Sequence, residues 1–234
     1  DALPICKRLD FCSARVHLVH DNFAHLPQIL SRLEIVGADG ILADLGISLH
    51  QIEHSGRGFS FQRDEPLDMR MDPQAGEKAE DIINRAGETD LARIFREFGE
   101  ERYAKSIARR VVAARKKAPI RTSRELADLV RAAIPRGAGA RMKIHPATRV
   151  FMALRIAVNR ELERLDQFLD GVCDCLLPGG RLCVLAFHSL EDRRVKQHFA
   201  RLAKGCICPP RIPRSVCARQ PTVRRLTRKV FRPS

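Results

Sequence analysis

The chain contains no tryptophan and a single tyrosine, and aromatic residues make up only 5% of its 234 positions. Its core must therefore be assembled from aliphatic side chains and eleven phenylalanines. No apolar run approaches the roughly 20 residues that a helix needs to cross a bilayer. The opening residues lack the basic-then-apolar pattern of a secretory leader. Eight cysteines are present but scattered, and Cys173, Cys175 and Cys183 sit in apolar surroundings. That usage fits reduced thiols in a cytoplasmic protein better than a disulfide framework. No glycine precedes Gly37, so the glycine fingerprint of a dinucleotide-type α/β enzyme is missing and that reading has no support. No internal repeat is visible either.

One further absence is local. After Asp192 there is no Asp or Glu, while residues 193–234 carry 13 Lys or Arg. The net charge of +14 thus resides in the tail, since residues 1–192 are nearly balanced at 29 basic against 28 acidic. A one-signed block repels itself unless something neutralises it, and the tail has no amphipathic apolar stripe for a membrane. A polyanion, and nucleic acid in particular, is the partner this composition predicts.

What is present is a core-forming chain, 44% hydrophobic, with alternating helix and strand signals. Residues 2–9 read as helical, Val16–Val19 as a strand and residues 24–33 as a short helix. Ile41, Leu42 and Ala43 then form a buried strand across residues 39–45. A helical region follows. Thr89–Asp90 is expected to cap a helix carrying Leu91, Ile94, Phe95 and Phe98, which Gly99 stops. The next helix places Tyr103, Ile107, Val111 and Ala114 on one face. Thr122 with Glu125 has the spacing of a capping box. Pro146 is placed in the first turn of a long helix running through Phe151, Leu154, Val158, Leu162, Leu165 and Leu169. The turn Leu177-Pro178-Gly179-Gly180 introduces a strand over residues 182–187. A helical block between two strand regions predicts an α/β core, residues 1–56 and 154–234, interrupted by an inserted helical domain, residues 57–153.

Three inferred strands end in polar clusters: His20–Phe23, Asp44–Ser48 and His188–Asp192. In a parallel sheet those ends share one edge, and ligands bind beyond the carboxyl ends of the strands. Between the first strand region and the helical block lies RGFSFQRDEPLDMRMDP, where charged pairs alternate with apolar anchors. Arg63, Asp64, Asp68 and Arg70 in it read either as RNA contacts or as an internal salt-bridge cluster. Cys206, Cys208 and Cys217 supply three sulfurs where a tetrahedral structural site takes four ligands, so no metal site is expected.

The words DGILADLG, RGFSFQRDEPLDMRMDP, FGEERYAKSIAR, HPATRVFMALRIAVNRELE and LPGGRLCVLAFHSLEDRRVK, in that order, closely resemble the ribosomal RNA small subunit methyltransferase H family. They cover most of the chain. The resemblance implies a class I, Rossmann-like, S-adenosylmethionine-dependent methyltransferase with an inserted helical domain, methylating a cytosine N4 of 16S rRNA. It implies cofactor contacts at Phe23, Asp44 and Gln51, with Phe23 near the adenine. His188 and Ser189 are expected beside the target amine, with Asp192 and Arg193 structural. Arg57, Arg63, Arg70, His145, Arg149 and the tail are expected on the RNA or on an assembling small subunit, and a homodimer is left open. Family members continue beyond both ends of this sequence, so it reads as an internal segment without the first strand and its Gly-rich loop. Asp1 falls at or just past the family's acidic cofactor residue. Because the cofactor loop is missing, a non-catalytic RNA-binding fragment is the alternative reading.

Overall fold

The structure, a computed structural model, describes residues 16–74, 76–135, 144–204, 220–227 and 231. The expected helix at residues 2–9, Asp1, the basic loop 136–143 and the three tail cysteines lie outside the described residues. In chain order the elements are α1 (Leu26–Arg32), β1 (Ala38–Asp44), α2 (Leu49–His54), α3 (Ala79–Arg85) and α4 (Glu88–Glu97). They continue with α5 (Ala104–Arg115), α6 (Ser123–Ala133), α7 (Ala147–Asn159), α8 (Glu161–Val172), β2 (Leu176–Leu185) and α9 (Ser189–Leu202). The chain divides into two compact units, Asp1–Leu45 with Arg164–Ser234, and Gly46–Glu163.

In the first unit β1 and β2 pair in parallel, in register from Gly40 opposite Arg181 to Asp44 opposite Leu185. Alternation along the strands sends Ile41, Ala43, Leu182 and Val184 to one face. There, with Leu45, they pack on Leu165, Phe168, Leu169 and Val172 of α8 and on Val195 and Phe199 of α9. Leu42 and Leu185, on the other face, stay exposed.

Two strand expectations need correction here. The Leu-Pro-Gly-Gly turn does not precede β2 but lies inside it. Ala38 pairs with Leu176 and Gly40 already with Arg181, so β2 loops out extra residues against β1. Gly179 makes this bulge with a φ of 86°. Gly180 permits its closeness, because a Cβ there would lie 3.0 Å from the Ala38 carbonyl oxygen. The strand also ends at Leu185 rather than Phe187. Val16–Val19 forms no strand. Among the described residues the sheet has two strands, so this segment has no ladder to join.

The second unit is a helical cluster around Leu91, Phe95, Ile107, Val111, Leu126, Val130, Val150 and Leu154. The Thr122 capping box is present: its hydroxyl accepts from the Glu125 N–H while Glu125 reaches back to the Thr122 N–H. α4 instead starts at Glu88, with Gly87 as its cap, so Thr89 and Asp90 lie in the first turn. Glu88 and Asp90 there favour the positive end of the helix dipole.

Between α2 and α3, residues 57–71 are tied down at several points. Phe59, Leu67 and Met69 are buried anchors. The Glu65 carboxylate accepts from the Gly58 N–H at 2.9 Å, and the Ser123 hydroxyl donates to the Arg63 carbonyl at 2.7 Å. Asn159 closes the far end: its side chain accepts from the Met71 N–H at 2.7 Å and donates to the Met69 carbonyl at 2.8 Å.

The expected continuous helix from Pro146 to Leu169 is broken. α7 stops at Asn159, and Arg160 adopts a left-handed φ of 51° before α8 begins. Apolar spacing persists across the break, so periodicity conceals it. Two bidentate pairs brace the corner, Arg155 with Glu161 at 2.7 and 2.8 Å and Arg160 with Glu163 at 2.7 and 2.5 Å.

Candidate functional site

The parallel pair fixes one edge of the first unit. Asp44 is the last residue of β1 and stands opposite Leu185, and the Leu45 N–H donates to the Leu185 carbonyl at 3.1 Å. Three residues beyond Leu185 comes His188, so Asp44, His188 and Ser189 share the carboxyl edge. Asp44 and Ser189 are exposed there. This is where an open α/β sheet presents ligand-binding groups.

His188 is fastened rather than free. It is the N-cap of α9, its Nδ1 accepting from the Glu191 N–H at 3.4 Å. Its Nε2 is buried 3.3 Å from Glu191 Oε1, without completing an aligned hydrogen bond. Glu191 is itself 3% exposed, and its other oxygen accepts from the Phe187 N–H at 2.9 Å. A neutral His188 in this pose carries its proton on Nε2, toward the carboxylate. Glu191 is the residue that sequence reasoning missed, although a cap residue followed three positions later by Glu is a readable helix start. Asp192 pairs with Lys196 at 2.6 Å on the surface.

Phe23 opens a short 3-10 turn capped by Asn22, whose side chain accepts from the Ala24 N–H at 3.0 Å. The ring meets buried Phe168 edge-on with centroids 5.4 Å apart, and 40% of Phe23 remains exposed. It is not a core aromatic: one edge is anchored and much of the ring stays open to solvent. A surface groove of about 300 Å³ lined by Pro27, Leu30, Ile35, Val36 and Cys175 lies instead at the amino ends of both strands. Strand polarity argues against it as the cofactor site.

The remaining candidates belong to the second unit. Gln51 completes a capping box with Ser48, its Oε1 accepting from the Ser48 N–H at 3.0 Å. That leaves its amide N–H groups available as donors. Arg57 donates to the carbonyls of Arg70 and Met71 at 2.6 and 3.0 Å and lies over the Phe59 ring. Arg63 donates to the Glu53 carbonyl. Arg70 makes a bidentate pair with Asp68 at 2.7 and 2.9 Å, and this partner holds the Asp68 carboxyl below the usual range. Of the quartet around Asp64, only Asp68 and Arg70 pair with each other. Arg149 donates to the Glu100 carbonyl at 3.2 Å. His145 stacks on Phe61, and desolvation, with Arg131 nearby, pushes its pKa down.

The model of the MraW methylase family matches residues 1–234. The chain belongs to that family. A relative from Desulfosudis oleivorans, named ribosomal RNA small subunit methyltransferase H, is 57% identical over 97% of this chain and 73% of its own length. Relatives of the same name from Syntrophotalea carbinolica and Desulforapulum autotrophicum are 54% and 52% identical. They cover 97% and 94% of this chain, and 72% and 71% of their own lengths. MraW membership makes the fold a class I methyltransferase fold, consistent with the parallel β1–β2 pair and its flanking helices. It also implies a methyl donor. No helix among the described residues is long and apolar enough to cross a membrane.

Proposed function

We propose that the chain methylates the exocyclic N4 of a cytidine in small-subunit ribosomal RNA, with S-adenosylmethionine as donor. The observation that carries this reading is the match to relatives named ribosomal RNA small subunit methyltransferase H, at up to 57% identity among those compared. The tail, with 13 basic and no acidic residues beyond Asp192, suits an RNA partner.

The donor would supply an electrophilic methyl group. Phe23 and Asp44 of the first unit fit such a ligand, a half-exposed ring for the adenine and an acceptor-only carboxylate for amine or hydroxyl hydrogens, while Gln51 is assigned to the cofactor on the family resemblance alone. Cytosine N4 is a poor nucleophile because its lone pair is delocalised into the ring. Acceptors that grip the amino hydrogens localise density on that nitrogen, and the departing proton passes to a carboxylate among them or to water. The target base must leave its stack to reach them.

Ser189 Oγ and the Asp44 carboxylate suit the acceptor role. His188 belongs beside the amine as well, but its Nδ1 is engaged by the Glu191 N–H. Its contribution in this pose is to fix the start of α9 and aim Ser189. We assign the helical unit, with Arg57, Arg63, Arg70, His145 and Arg149, to RNA recognition.

Tritium transfer from labelled S-adenosylmethionine to small-subunit rRNA, followed by nucleoside mass spectrometry, tests the reading. Label in N4-methylcytidine is expected. RNA binding without transfer, or label on a ring carbon, overturns it. His188→Asn keeps a helix cap, so its comparison with His188→Ala separates capping from direct chemistry.

A further inference from the structure

An aromatic column runs from the core of the helical unit to its surface. Phe151, 4% exposed, meets Phe61 edge-on at 5.2 Å. Phe61 in turn stacks face to face on His145, with centroids 4.5 Å apart and planes 26° from parallel. His145 is exposed, as is its neighbour Ile144 at 48%. The imidazole cannot turn freely, because its Nδ1 accepts from the Ala147 N–H at 3.2 Å. An exposed ring seated on a second ring, and held by a backbone hydrogen bond, is already ordered before anything binds it.

The charged side chain that acts on this ring is a cation, and a second cation follows four residues after His145 in the chain. Arg131 is close enough to bias the His145 ring, and Arg149 follows one helical turn later. Arg131 shares its guanidinium with Asp128 at 2.5 Å, while Arg149 contacts only the Glu100 carbonyl among the bonds described for it. A flat face next to cationic side chains matches a base attached to a phosphate backbone.

We infer that the Phe61–His145 stack is a platform for an unpaired nucleobase of single-stranded RNA. The base extends the column on the outer face of His145, and Arg149 lies within a turn of its phosphate. This deepens the reading of the chain as an rRNA methyltransferase and rests on it. Recognition of RNA by base stacking is tolerant of sequence, so the platform positions a strand rather than choosing a base.

The probe is a single-stranded RNA dodecamer containing 2-aminopurine, titrated with the full chain. The wild type is expected to quench the fluorophore. His145→Ala should weaken binding roughly tenfold and lose the quenching, as removal of a stacking ring does. His145→Phe should retain both. The salt slope should be the same for all three, because an uncharged face releases no counterions. Thermal melts establish that each variant is folded, and Phe61 is left intact because it packs on Phe151. Equal affinity for wild type and His145→Ala overturns the platform, as does a His145→Phe variant as weak as His145→Ala. The wild-type transfer assay reports independently on the methyltransferase reading. Transfer with an indifferent His145→Ala variant rejects the platform alone, and neither transfer nor RNA binding rejects both.

Discussion

Asn159 Nδ2 donates to the Met69 carbonyl at 2.8 Å, joining positions ninety residues apart. The same side chain accepts from the Met71 N–H, so one amide pairs with the backbone as a neighbouring strand would. Met69 is fully buried and holds a φ of 59°, a conformation that needs such support. Asn159→Ala would leave these backbone groups without partners, at a cost of about 2–4 kcal/mol. Urea denaturation followed by circular dichroism checks this, and Asn159→Asp, which keeps the size but loses the donor, should behave similarly.

Acid sensitivity should be visible at Asp68. The Arg70 hydrogen bonds lower its pKa in the folded state. The stability it contributes is therefore present above the ordinary carboxylate pKa and disappears as pH falls through the lower folded value. Asp68→Asn should be less stable than wild type at pH 7, with the gap closing toward pH 3. A gap that stays constant across that range would contradict the linkage.

His198 has the opposite charge type and also a lowered pKa, chiefly from burial, then from Arg201, with Asp170 and Asp166 opposing. Arg201 donates to its Nδ1 at 3.2 Å, which only a neutral ring accepts. Stability from this neutral histidine is complete above about pH 6.5 and declines as pH drops toward the folded value. His145, lowered by desolvation and Arg131, adds a decline of the same sign from the helical unit. His198→Gln should flatten part of the melting-temperature profile between pH 7.5 and 5.5.

Two glycine substitutions should differ sharply. A Cβ at Gly99 would sit 2.6 Å from the Arg149 carbonyl oxygen and 2.7 Å from that of Phe95, both backbone atoms. Gly99→Ala is expected to cost about 2–3 kcal/mol through overpacking. Gly56 has a φ of 64° but nothing within 4 Å, so Gly56→Ala carries only the left-handed penalty of about 1 kcal/mol. Parallel chemical denaturation of both variants tests the ordering.

Features encoded by near neighbours could be read directly from the sequence. The apolar run at Ile41–Ala43 and the Thr122–Glu125 spacing each specify their element locally. The break at Arg160 could not be read, because the apolar spacing continues through it and its support includes a side chain bonded to Met69 and Met71. Val16–Val19 has the composition of a strand, yet pairing is a property of a neighbour. The Leu-Pro-Gly-Gly signal was legible as punctuation, but only the register against Ala38 shows that it bulges a strand. At the edge, Asp44 and His188 followed from strand polarity. The engagement of His188 by Glu191 was encoded in their three-residue spacing, while the stack of Phe61 on His145 joins segments that no local pattern connects.

The pairing of Asp44 with Leu185 has a consequence for biosynthesis. At elongation speeds of roughly 5–20 residues per second, β2 is made on the order of ten seconds after β1. Throughout that interval the nascent chain holds Ile41, Ala43 and Leu45 without their partner strand. Residues 46–163, made in between, form a compact unit of their own and can fold during the wait. A chaperone that shields short aliphatic segments would find its substrate here.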